Sequence, residues 1–172
     1  ETNFTYISPF DCYDKSIVIN SMSKAFGIAG IRIGWLIASE EVIENCMNLR
    51  HYVSLCNNIL GEKIALEILN KKEFLLPKIL SNLQKNRSFS INYLIKLKNS
   101  FNIDYVIPKA GLIIFLKLND IENTEQFCID FEKETSILLL PCNKYGDKYK
   151  NFVRLGYGIN FELLEYCFKK LE

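Results

Sequence analysis

Two short apolar runs near the start of the chain, residues 16–20 (SIVIN) and 31–38 (IRIGWLIA), are rich in β-branched side chains and lie on either side of a glycine-containing segment. Both read as mostly buried strands. Residues 1–15 mix aromatic and polar positions, and Pro9 with Asp11 and Asp14 marks an irregular approach to the first strand. After the second run the apolar spacing changes. Ser39 is placed to cap a helix, with Glu40 and Glu41 in its first turn, where carboxylates favour the positive end of the helix dipole. Apolar residues then recur at steps of three and four through Leu60, Ile64, Ala65 and Ile68, through Leu76, Ile79, Leu80 and Leu83, and through Ile91, Leu94 and Ile95. This predicts helix over most of residues 42–99, broken near 57–61 and 70–74.

Beyond residue 99 the texture becomes that of a hairpin: residues 104–107, a Pro-Lys-Ala-Gly turn at 108–111 and residues 112–118 predict an antiparallel pair. Asn123 with Gln126 has the form of a capping box for a helix to about Glu134. Strands are predicted at 137–140 and 152–155, and Asn160 caps a last helix ending near Leu171. The expectation is an α/β opening followed by an α+β second half with helices on one antiparallel sheet.

Composition narrows the function more than the fold. With 172 residues, 49% of them apolar and 24% charged, the chain can bury a core without staples. Lysine and arginine number 21 against 20 acidic residues, so no global charge draws it to nucleic acid or to an acidic membrane, and any anion site is local. Cys12, Cys46, Cys56, Cys128, Cys142 and Cys167 show no close pairing and no C-x-x-C step, which predicts free core thiols and a cytoplasmic setting. His51 is the only histidine, so a zinc site or a histidine-based triad lacks partners, and the residue reads as part of a helix face. No run reaches the roughly 20 apolar residues of a spanning helix, and the first residues do not show a basic-then-apolar secretory pattern.

The chemistry concentrates in residues 21–35, S-M-S-K-A-F-G-I-A-G-I-R-I-G-W. Ser21 and Ser23 precede Lys24, and Arg32 follows eight residues later among Gly27, Gly30 and Gly34. Two hydroxyls and a guanidinium can hold a phosphate, while glycines let the backbone approach it. A desolvated lysine near other cations becomes a nucleophile toward carbonyls. Phosphate binding beside a carbonyl-reactive amine points to pyridoxal phosphate. The glycines do not give G-x-G-x-x-G, so a dinucleotide loop is set aside.

The string S-x-S-K-x-F-G-x-x-G-x-R-x-G-W resembles the active-site segment of class I/II aminotransferases, pyridoxal-phosphate enzymes of fold type I. The resemblance implies that Lys24 carries the cofactor covalently and shuttles protons, and that Ser21, Ser23 and Arg32 hold its phosphate. Residues 149–158, Y-K-N-F-V-R-L-G-Y-G, resemble the late strand whose arginine binds the substrate α-carboxylate, which gives that role to Arg154. Residues 108–115, P-K-A-G-L-I-I-F, resemble the family's Pro-x-Gly-Gly-x-Phe hairpin, with Ala110 in place of the first glycine. Arg50 and Arg87, the other two arginines, read as solvated helix residues.

On this resemblance, residues 1–40 are the C-terminal part of the large cofactor-binding domain, 41–70 a connecting helical segment and 71–172 the small domain. Residues 1–4 resemble the segment just after the family's D-E-x-Y turn. The glycine-rich phosphate loop, the stacking aromatic and the aspartate that pairs with the pyridine nitrogen find no counterpart upstream of Lys24. The expected parent is an aminotransferase of amino-acid metabolism, moving an amino group between an amino acid and a 2-oxo acid as a homodimer. The chain by itself is expected to be inactive and to leave apolar strand edges bare. A β-lyase, an amino-acid cyclase or a non-catalytic interaction module are the competing readings.

Overall fold

The computed structural model describes residues 7–171. They form two compact units that divide between Ile79 and Leu80, inside a long helix. The sequence reading of residues 1–4 lies outside the described residues.

The first unit opens with a single helical turn, α1 (Pro9–Cys12), where the sequence predicts irregular chain. Proline at the first helical position presets φ, and the Ser8 Oγ accepts a hydrogen bond from the Phe10 N–H at 3.3 Å. Strands β1 (Val18–Ser21) and β2 (Gly34–Ile37) pair antiparallel from Val18↔Ile37 to Ser21↔Gly34. The helical turn α2 (Met22–Ala25) follows β1 directly. The second strand starts later than its apolar run because Ala29–Ile31 close a 3-10 turn and Arg32 takes a left-handed conformation. Neither strand is buried as predicted: Ile17, Ile19 and Ile37 are all exposed, Ile19 at 76%. A two-stranded ribbon buries a face only when a second layer packs on it. Helices α3 (Glu40–Val53) and α4 (Ile59–Asn70) follow, with the break between them at residues 54–58, about three residues earlier than the predicted 57–61. Ser39 occupies the N-cap of α3 without a side-chain bond, whereas the Asn58 Oδ1 caps α4 by accepting from the Leu60 N–H at 3.1 Å. Gly61 is obligatory, since a Cβ there would sit 2.6 Å from the Ile31 carbonyl oxygen. Among the described residues, Met22 and Ala65 are the only buried apolar side chains of this unit.

Helix α5 (Lys72–Leu97) crosses the division, with Pro77 inside it. The second unit is an antiparallel sheet of order β3–β4–β6–β5, built from β3 (Ile103–Tyr105), β4 (Ile113–Leu118), β5 (Leu140–Pro141) and β6 (Phe152–Gly156). Alternation along β4 and β6 divides the faces: Ile114, Leu116, Val153 and Leu155 are buried, while Phe115 and Arg154 pair on the opposite side. Leu94 of α5 and Leu164 and Phe168 of α7 (Phe161–Lys169) complete the core, with Phe168 against Tyr93 and Phe89 at ring-centre distances of 5.0 and 5.6 Å. The α+β expectation holds.

Helix α6 (Thr124–Thr135) has half of its predicted capping box. The Asn123 Oδ1 accepts from the Gln126 N–H at 3.1 Å, but the Gln126 side chain donates to Asp130 at 2.9 Å instead of reaching back. Strand β5 starts at Leu140 rather than at 137, because Ser136 is left-handed and the Ile137 N–H bonds the Thr135 hydroxyl at 3.2 Å. Asn160 caps α7 as predicted, its Oδ1 accepting from the Glu162 and Leu163 N–H groups at 2.9 and 3.2 Å.

All six thiols are free, yet Cys12, Cys46 and Cys56 are exposed rather than in the core; Cys128 and Cys142 are the buried pair. Their helices and loops belong to segments with few buried neighbours, whereas Cys128 faces the sheet from α6. Burial pushes the Cys128 thiol up to about 11. The folded chain then keeps a proton that the unfolded chain loses above its ordinary thiol value, so this contribution is full below that value and is lost as pH rises through about 11. The expected result is that wild-type stability falls more steeply across this alkaline window than that of Cys128→Ala, by roughly 2 kcal/mol in denaturant titrations. Parallel curves for the two proteins would remove the effect.

Candidate active site

The residues expected to bind an anion are assembled by one tight loop. Strand β1 ends at Ser21, whose extended backbone starts α2 while its hydroxyl stays free of any capping bond. Met22, wholly buried, pins α2, and its N–H bonds the Ile33 carbonyl at 3.0 Å. The Ile28 N–H returns to the Met22 carbonyl at 3.2 Å, so residues 22–33 close on themselves. Gly27 permits this with a φ of 69°.

Arg32 sits at φ 57°, a conformation that branched residues avoid, and its Nη1 donates to the Ala29 carbonyl at 3.0 Å. Gly34 faces Ser21 in the register, and a Cβ there would lie 2.8 Å from the Asn20 carbonyl oxygen. The glycine therefore sets how closely β2 can approach β1 beneath the arginine. The result is an open pocket of about 420 Å³ lined by Asn20, Ser21, Ser23, Arg32, Gly34 and Trp35 among others.

Three of the predicted residues, Ser21, Ser23 and Arg32, thus share one pocket. Its lining contains no carboxylate, and a pair of hydroxyls with a guanidinium that forms no ion pair among the described residues is a donor set that fits a phosphate. Lys24 is outside the lining and exposed, so the desolvation predicted for it is not supplied by the described residues. Its position in the last turn of α2, one residue after Ser23, keeps it beside the anion-binding residues along the chain. Among the described residues no group of three histidine, cysteine or acidic side chains is placed to hold a metal, and no helix is long and apolar enough to cross a membrane.

Arg154 belongs to the second unit. It lies mid-way along β6, opposite Phe115 of β4 and Leu140 of β5, on the face away from the core. It is half-buried, and its Nη1 donates to the Tyr145 hydroxyl at 2.7 Å. Among the described residues no carboxylate forms an ion pair with it; the ion pairs of this unit are lysine pairs elsewhere.

Three residues of this unit have roles that the sequence reading missed. Asn86 is buried on α5, and its amide donates to the carbonyls of Tyr157 and Ile159 at 2.8 and 2.7 Å. Arg87, predicted as a solvated helix residue, is half-buried and its Nε donates to the Pro108 carbonyl at 2.6 Å. That bond exists because the β3–β4 connection folds over α5, which helical spacing cannot show. The Tyr157 hydroxyl donates to the Gly111 carbonyl at 2.7 Å, and Gly111 takes φ 97°. Burial raises the Tyr157 phenol above its ordinary range, a shift that the Arg87 charge partly offsets. A polar residue on the buried stripe of Asn86, Ser90, Leu94 and Leu97 was the available signal for the first of these contacts. Nothing local marked Tyr145.

A mixed α/β chain that joins a strand-borne lysine loop to an antiparallel α+β unit defines the fold of pyridoxal-phosphate-dependent aminotransferases. It superimposes on such an enzyme from Streptococcus suis with a TM-score of 0.86 and 27% identity, over 94% of this chain and 42% of that one. The aminotransferase class I and II family matches residues 4–171, and the chain belongs to that family. Membership implies pyridoxal phosphate as cofactor. Among curated relatives it is 25% identical to the (5-formylfuran-3-yl)methyl phosphate transaminase of Methanocaldococcus jannaschii over 87% of this chain and 39% of that protein. It is 32% identical to the HTH-type transcriptional regulator NorG of Staphylococcus aureus over 88% of this chain and 34% of the regulator. The chain therefore spans between a third and a half of the length of the relatives it matches.

Proposed function

We propose that the protein containing these residues is an aminotransferase that moves an amino group between an amino acid and a 2-oxo acid. The observation that carries this reading is the convergence of Ser21, Ser23 and Arg32 on one pocket, with Lys24 next to Ser23 along the chain. In this reading Ser21 and Ser23 donate their hydroxyl protons, and Arg32 its guanidinium N–H groups, to the cofactor phosphate. When bound, the cofactor supplies an aldehyde that accepts the amino group and a ring that delocalises the electron pair released at the substrate Cα. Lys24 would hold the cofactor through Nζ, and as a neutral amine it would take and return the Cα proton of the bound amino acid. Arg154 binds the α-carboxylate and so orients the substrate. No carboxylate lines the pocket, and the exposed apolar faces of β1 and β2 are uncovered, which supports a site completed by residues beyond 1–172 and an isolated chain without activity. The same reading places 1–40 in a large domain, 41–70 in a connecting segment and 71–172 in a small domain. It makes the whole protein a cytoplasmic homodimer.

The 32% identity to a transcriptional regulator favours one second reading, a domain that binds cofactor and amino acid without turning them over. One experiment separates the two. The whole protein is titrated with pyridoxal phosphate, reduced with borohydride and mapped by peptide mass, and a parallel unreduced sample is given amino acids and assayed for 2-oxo acids. The label is expected on Lys24 together with 2-oxo acid formation. Label on Lys24 with no turnover of any amino acid selects the regulator, and label scattered over surface lysines sinks both.

A further inference from the structure

We propose that Tyr145 is a positioning residue for Arg154 and supplies a third hydrogen-bond donor to the substrate α-carboxylate; this rests on the reading of Arg154 as the carboxylate-binding arginine. The Arg154 Nη1 donates to the Tyr145 hydroxyl oxygen at 2.7 Å, and the guanidinium carbon lies 5.9 Å from the ring centre. A phenol has one proton. Because its oxygen accepts from the arginine, that proton remains free to donate, and among the described residues it donates to no protein acceptor. A carboxylate offers about four lone-pair sites, enough for a two-pronged guanidinium contact and one phenol donor.

The ring is held in place by its backbone. Tyr145 ends a 3-10 turn, Asn143–Tyr145, closed by its own N–H on the Cys142 carbonyl at 2.9 Å. Gly146 follows at φ 117°, a conformation open to glycine and strained for other residues. Neither acidic residue near this loop, Glu125 or Asp147, forms an ion pair with the arginine among the described residues. The Glu125 carboxylate is taken by the Asn143 amide at 2.7 Å and by Lys144 at 3.5 Å, and these contacts hold its carboxyl below the usual range. The Arg154–Tyr145 pair is thus ionically unsatisfied, pre-oriented and supplied with a free donor.

The test uses the whole protein loaded with pyridoxal phosphate, titrated with L-alanine and with ethylamine, which differ by the carboxylate alone. Binding is read from cofactor absorbance. Tyr145→Phe keeps the ring and removes the hydroxyl, and it is expected to weaken L-alanine about ten- to a hundredfold while ethylamine binding and the melting temperature stay unchanged. Arg154→Ala is expected to weaken L-alanine at least as much. Equal weakening of both probes by Tyr145→Phe would mean a structural role and overturns the proposal. Wild-type L-alanine binding in Tyr145→Phe, with weakening in Arg154→Ala, overturns the Tyr145 role alone. No effect of Arg154→Ala overturns the reading beneath it.

Discussion

Replacing Lys24 with alanine in the whole protein is expected to lower amino-group transfer by about 10²–10⁴-fold, the range that a positioned acid–base group contributes. The fold supplies the reason why this loss reads as chemistry. Lys24 is exposed in the last turn of α2 and makes no ion pair or hydrogen bond with any described residue. Exposed surface substitutions of that kind change stability by about 0.5 kcal/mol or less. Without cofactor, the melting temperature of Lys24→Ala should therefore match that of wild type, whereas with cofactor kcat collapses and the borohydride-fixed label disappears from the residue 22–33 loop. Arg32 behaves differently, because its guanidinium also closes that loop onto the Ala29 carbonyl at 3.0 Å, so its loss mixes pocket collapse with lost phosphate binding. Lys24→Arg is the stricter control: it keeps the charge but cannot act as a neutral amine at ordinary pH. Retention of more than about a tenth of the wild-type rate by either variant would remove Lys24 from the chemistry.

The sites differ in how far they were legible in the sequence. That Ser21, Ser23 and Arg32 come together could be read because the contacts that assemble them are local: the loop of residues 22–33 closes on itself, and the glycines that permit it lie in the same string. Caps were equally readable where a side chain bonds its own helix start, as at Asn160 and Asn123. Burial of β1 and β2 was not readable. β-branched runs predict strand, but whether Ile19 is covered depends on a layer that the pattern does not contain. Asn86 and Arg87 were missed for a related reason, since their partners lie 71 and 21 residues away and only the packed unit brings them together. Tyr145 is closer to Arg154 along the chain, yet it ends one 3-10 turn and a second, Asp147–Tyr149, lies between them, so no periodicity relates the side chains.

Those distant contacts make Asn86 the most consequential residue of the second unit outside its apolar core. Its amide uses both protons on carbonyls just beyond β6, those of Tyr157 and Ile159. Asn86→Leu keeps the number and branching of side-chain heavy atoms and raises helix propensity, but strands both acceptors, one of them on a fully buried residue. At about 1–3 kcal/mol for each unsatisfied group, the expected loss is roughly 2–5 kcal/mol in denaturant unfolding. The damage should extend beyond stability. Tyr157 is also held by its N–H on the Leu112 carbonyl at 2.9 Å and its hydroxyl on the Gly111 carbonyl, and Arg87 holds Pro108 in the same connection. Helix α5 therefore ties down the ends of both strands that flank the Arg154 face. Hydrogen exchange in Asn86→Leu is expected to quicken at Tyr157 and at Gly156 of β6 while Val18–Ser21 of β1 is unaffected. A double-mutant cycle with Tyr157→Phe gives the decisive number, because residues acting through one network couple by about 0.5–3 kcal/mol whereas independent ones add. Strict additivity, or an Asn86→Leu protein as stable as wild type, would mean that the loops at the end of β6 hold their shape without α5.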